Sequence, residues 1–157
     1  MLFRSRDTDP ERPRAGTVFV QGTATTANLV KLLPEIDQLD LNVRIVACIS
    51  PQLFRLQDAA YRDRICSEAD RLDGMAITNR AYKLMHDWVT GPIGETYSLS
   101  SDWDHRWRTG GTVEEVIDEA HLGPQHIMDA ISRYARERPE RHARLRKLTA
   151  GWDDADA

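Results

Sequence analysis

Two apolar rhythms take turns along this chain. Thr17-Val-Phe-Val-Gln21 is a short, nearly continuous β-branched and aromatic run closed by Gly22, the pattern of a strand buried on both faces. Leu29, Leu32, Leu33 and Ile36 then recur at helical spacing, with Thr25 or Thr26 expected to cap that helix and Pro34 to kink or restart it. Residues 43–49 (VRIVACI) repeat the strand pattern, and Ser50-Pro51 suits the cap and first turn of a new helix. Residues 57–64 (QDAAYRDR) are polar and helical in character. A third strand is expected at 74–79, a helical stripe at Ala81, Leu84, Met85 and Trp88, and a weaker fourth strand at 96–100.

Thr112-Val-Glu-Glu115 has the form of a capping box, with Val113, Val116, Ile117 and Ala120 behind it and Gly123 placed to end the helix. Pro124 suits the first position of a last long helix with Ile127, Ile131, Tyr134 and Ala135 inward, and Pro139 is expected to stop it. Strand and helix alternate four times, which predicts parallel strands, helices on both faces and a three-layer α/β/α sandwich with a mostly parallel sheet.

At 157 residues the chain is one domain, large enough to close a core without staples. The expected division is a flexible arm over 1–15 (four arginines, three acids, two prolines), the α/β domain over 16–138, and a basic helix with an acidic tail over 139–157. The net charge of −4 gives no global positive field for nucleic acid, and no apolar run approaches the roughly 18 residues of a membrane span. The N-terminus has no apolar stretch of the kind that directs secretion, so a cytoplasmic location is expected. Cys48 and Cys66 match neither a redox pair nor a zinc motif, and Cys48 lies in an apolar strand.

Three constellations carry candidate chemistry. The turn Gly22-Thr23-Ala24-Thr25 leads from a strand into a helix, where open α/β sheets tend to hold ligands and helix N-termini attract anions; Gly22, Thr23 and Thr25 are the candidate anion-binding residues, although no dinucleotide or Walker motif is present. The loop Trp103-Asp-His105-Arg-Trp107 pairs carboxylates with an imidazole, but without metal-ligand spacing. Its aromatic content makes Trp103, Asp104, His105 and Trp107 a candidate partner interface instead. His121 and His126 straddle Gly123-Pro124 and are not expected to share a face. The run from Arg136 to Lys147 holds five arginines and no aromatics, the composition of a solvated helix or one facing an acidic partner.

Several strings resemble the C-terminal domain of transketolases, with the homodimeric pyruvate dehydrogenase branch as the nearest alternative. They are Val18-Phe-Val-Gln-Gly-Thr23, Val43-Arg-Ile-Val46, Ser50-Pro-Gln-Leu-Phe54 and, most specific, Gln57-Asp-Ala-Ala-Tyr-Arg62. The chain departs from that family at Asn79-Arg80, where an acidic residue and glycine are usual, and at residues 102–107, where a Phe-Gly turn is usual. The family's Mg²⁺-binding Gly-Asp-Gly string is absent, so no catalytic, cofactor or metal residue carries over. The resemblance implies a non-catalytic C-terminal domain or subunit of a split enzyme. Its partners would be transketolase-like subunits holding thiamine diphosphate and Mg²⁺, and the assembly would transfer a two-carbon ketol or acyl unit. A homo-oligomer is a further expectation. The alternative is a stand-alone regulatory module taking a phosphorylated small molecule at the turn after Gly22.

Overall fold

A computed structural model describes the backbone of residues 2–6 and 8–153 and the side chains of 8–150. The sheet is built from β1 (Leu2–Arg6), β2 (Gly16–Gln21), β3 (Val43–Cys48), β4 (Met75–Thr78) and β5 (Leu99–Ser100), in the order β1-β3-β2-β4-β5. The β3-β2-β4-β5 run is parallel throughout. Around it lie α1 (Thr23–Gln38), α2 (Pro51–Arg55), α3 (Ala59–Ile65), α4 (Glu68–Leu72), α5 (Pro92–Tyr97), α6 (Val113–Glu119), α7 (Pro124–Arg136), α8 (Arg138–Asp153) and a 3₁₀ turn at Tyr82–Met85.

Alternation along the strands divides the core into two layers. Val18, Val20, Val43, Ile45, Met75 and Ile77 meet Leu29 and Ile36 of α1 and Ile127, Ile131 and Tyr134 of α7. On the other face Phe19, Val46, Cys48 and Ala76 meet Phe54, Ile65, Met85 and Trp88. Two apolar layers on opposite faces of one sheet make this a three-layer α/β/α sandwich, as the alternation predicts. No helix among the described residues is long and apolar enough to cross a membrane.

The local signals succeed where partners are three or four residues apart. Ser50 accepts from Leu53 N–H with Pro51 behind it, and Thr112 and Glu115 form both halves of the capping box. Elsewhere the structure corrects the reading. Within the expected arm, Leu2–Arg6 is not free: as β1 it pairs antiparallel with β3, giving the outer edge of β3 the partners that an edge strand lacks. Buried Asn42 pins the segment after β1, its amide donating to the carbonyls of Asp9, Arg12 and Pro13 and its Oδ1 accepting from Asp9 N–H. Helix α1 runs unbroken through Pro34. Thr96 and Tyr97 close a helix rather than opening a strand, because Gly91-Pro92 starts α5 and leaves only Leu99–Ser100 to pair with β4. The stripe after β4 is a single 3₁₀ turn with Leu84 exposed.

The helix stops also differ from expectation. His121, at φ 54°, takes the left-handed position after α6, with its N–H bonded to Asp118 and Leu122 N–H bonded to Ile117; Gly123 instead precedes α7. Pro139 falls in the first turn of α8, where its missing N–H costs nothing, so the basic run continues as helix. That helix is docked by Arg141, whose side chain is fully buried. Its guanidinium donates to Asp73 (2.8 and 3.2 Å), to Ala15 C=O (2.6 Å) and to Tyr134 C=O, and lies 3.7 Å from the Tyr134 ring centre.

Candidate functional site

The chain leaves β2 toward β3 on one side and returns to β4 on the other, so the carboxyl ends of β2 and β4 flank a switch in winding direction. Open α/β sheets form their ligand crevices at such points. Here a cleft of about 730 Å³ is lined by Gln21, Gly22, Thr23, Thr26, Asn79 and Arg80, with Cys48 and Ile49 opposite. Gly22, at φ 101°, makes the turn; a Cβ there would come within 2.2 Å of Asn79 Oδ1. At the start of α1 the Thr26 N–H donates to Gly22 C=O (3.0 Å), and the earlier N–H groups of a helix have no carbonyl of their own turn to bond.

Of the three expected anion-binding residues, Gly22 and Thr23 line this cleft. Thr25 does not: it is buried, and its hydroxyl donates back to the carbonyls of Gln21 (2.5 Å) and Gly22 (3.0 Å). Asn79 and Arg80, which the sequence marks only as departures from a resemblance, complete the wall. They arrive there because Gln21 and Thr78 are register partners. The Cys48 thiol is buried, which pushes its ionisation well up; burial likewise moves Cys66 to about 11, so neither is a nucleophile near neutral pH.

Arg80 C=O accepts from Ser101 N–H (3.2 Å), tying the cleft to the loop that follows β5. That loop is rigidly built. The Asp102 carboxylate accepts from Ser100 Oγ (2.6 Å) and Tyr82 N–H (2.9 Å); burial raises its ionisation, but these bonds outweigh it and the net shift is downward. Arg108 donates to Ser101 C=O (2.8 and 2.6 Å) and Glu119 C=O (3.1 Å) while gripping both oxygens of Asp104. The Arg108 bonds lower the Asp104 ionisation. Both carboxylates therefore stay ionised and engaged, and the His105 ring bonds neither. An Asp–His acid–base pair is not assembled.

Trp103 is half-exposed and Trp107 is 98% exposed. Trp103 stacks on His121 (4.4 Å, 22°), which stacks on His126 (4.6 Å, 4°), so the two histidines do share a face. The left-handed turn at His121 reverses the chain and folds the ring back over the start of α7. Spacing along the chain carries no sign of this column. Trp103 and Asp104 are thus anchored within the loop, while Trp107 in the same loop stands open to solvent.

The sequence has no Gly-Asp-Gly string, and no group of three or more His, Cys, Asp or Glu side chains among the described residues is arranged to hold a metal ion.

No family model matches the sequence, and no curated protein does. Solved structures do match. A transketolase from Leishmania mexicana superposes with a TM-score of 0.65 at 11% identity, over 88% of this chain and 18% of that one. A transketolase from Campylobacter jejuni gives 0.61 at 11% identity, over 83% and 18%. A transketolase mutant from Pichia stipitis, in a complex with xylulose 5-phosphate, gives 0.58 at 11% identity, over 86% and 18%. The chain has a fold that transketolases contain, and it spans under a fifth of their length.

Proposed function

We propose that this chain is a non-catalytic, C-terminal-type domain or subunit of a transketolase-like, thiamine diphosphate-dependent assembly that transfers a two-carbon ketol or acyl unit in the cytoplasm. The observation that carries the reading is the superposition itself: nearly all of this chain overlies a domain-sized part of transketolases. Partner chains would hold thiamine diphosphate and Mg²⁺. The loop carrying Trp103, Asp104, His105 and Trp107 is the proposed contact, because a fully exposed tryptophan on an anchored loop gains most from being covered.

The test is to tag the chain, purify it gently from its own cells, and measure both the mass of what accompanies it and the thiamine diphosphate content. A stoichiometric partner carrying the cofactor is the expected result. Recovery of the chain alone and cofactor-free would overturn the assembly reading. Trp103→Ala with Trp107→Ala should release the partner, and an intact assembly with both changes would remove the loop from the interface.

A further inference from the structure

A second recess lies at the opposite, amino end of the sheet, between the start of β2, helix α4 and helix α8. It holds about 460 Å³, within the roughly 300–1,000 Å³ of small-molecule sites. One wall is a stripe of α8: Arg138, His142 and Arg146 stand at successive steps of four, which places them on one helix face. Arg14 approaches from the segment before β2, and Leu72 and Leu145 add apolar surface.

The floor carries two carboxylates, and both are already engaged. Asp73 takes two bonds from Arg141 and one contact from His142 Nε2 (3.2 Å). Asp70 accepts from Thr17 Oγ1 (2.7 Å) and Ser67 Oγ (2.7 Å), with Arg14 at 3.1 Å and Arg44 at 3.6 Å. Three guanidinium groups line the recess, those of Arg14, Arg138 and Arg146, while its two carboxylates are already met by Arg14, Arg44 and Arg141. Among the described residues neither Arg138 nor Arg146 has a carboxylate partner.

We propose that this recess is a binding site for a phosphorylated small molecule. Its phosphate or diphosphate oxygens would be held by Arg138, Arg146 and the outer edge of Arg14, and its carbon skeleton would lie against Leu72 and Leu145. Guanidinium groups match phosphate oxygens in geometry and charge, and the assignment owes nothing to the cleft at Gly22 or to the assembly proposed above.

The test uses the full 157-residue chain, with inorganic pyrophosphate as probe and sodium chloride at matched ionic strength as control. Amide NMR shifts should move saturably at Ala69, Leu72 and residues 138–146. Arg138→Gln with Arg146→Gln should weaken binding by about tenfold or more, because charge-assisted bonds to phosphate are lost. Arg144→Gln removes the same charge from the same helix, but at a residue bonded to Thr96 Oγ1 outside the recess, and should leave affinity within about twofold. Shifts centred on Gly22 and Thr23, shifts that sodium chloride reproduces, or equal losses in the Arg144 control would overturn the site. So would a single-stranded oligonucleotide that binds these arginines more tightly than pyrophosphate does.

Discussion

The contact between Asp73 and Arg141 ties helix α8 to the rest of the fold, and Asp73→Asn tests it. Arg141 is fully buried and Asp73 is 18% exposed, so the guanidinium depends on this carboxylate for its countercharge. Asparagine keeps the shape and one acceptor oxygen but leaves the charge uncompensated among Tyr134, Tyr97 and the sheet. Removing one partner of a buried pair costs about 3–5 kcal/mol. At about 2–4 °C per kcal/mol for a domain of this size, the melting temperature should fall by roughly 6–20 °C. Against a typical total stability of about 5–15 kcal/mol, that is a large fraction. Arg141→Met should cost about 2–4 kcal/mol by orphaning the carbonyls of Ala15 and Tyr134. The double variant should cost about 2 kcal/mol less than the sum, since no unpaired charge remains. Urea titrations followed by far-UV circular dichroism measure all three. A loss below about 1 kcal/mol for Asp73→Asn, or coupling near zero, would refute the claim that this pair docks α8.

Three other expectations rest on single features. Burial pushes the Asp70 carboxyl up, but Thr17, Ser67, Arg44 and Arg14 together outweigh it, so its folded value lies below the usual 3.8. Its contribution is therefore complete above about pH 4 and lost as pH falls further, and Asp70→Asn should flatten the acid limb of a stability-against-pH curve; an unchanged limb would contradict this. Trp107→Ala should change stability by less than about 0.5 kcal/mol while abolishing partner capture, and a marked loss of stability would show that the ring packs within the chain. Gly22→Ala should cost about 1–3 kcal/mol through its positive φ and the Asn79 contact, with part of the loss recovered in an Asn79→Ala background. Equal costs in both backgrounds would mean that only the backbone is strained.

The strand–turn–helix candidate was half legible from sequence: Gly22 and Thr23 stand where expected, while Thr25 is turned inward by bonds to carbonyls three and four residues back. Asn79 and Arg80 join the cleft only through strand register, which spacing along the chain does not encode. The loop is marked by its tryptophans. Its rigidity is not legible, because Arg108 bonds a carbonyl seven residues back and another eleven ahead. The recess lined by Arg138, His142 and Arg146 was visible only as a basic run, and nothing in that run showed that one face of it would be folded against Asp70 and Asp73.

Sequence alone determined the alternation of strand and helix, the two caps at Ser50 and Thr112, and hence the layered α/β class, because each signal lies between residues a few positions apart or repeats along one element. Tertiary structure decided the rest. It joined Leu2–Arg6 to the edge of β3, set Asn42 beneath the segment at Asp9, stacked Trp103 on His121 and His126, and sank Arg141 onto a carboxylate 68 positions away. Such contacts reward only the closed chain. Their energy comes from desolvated partners that meet once the sheet has formed, so no local pattern announces them.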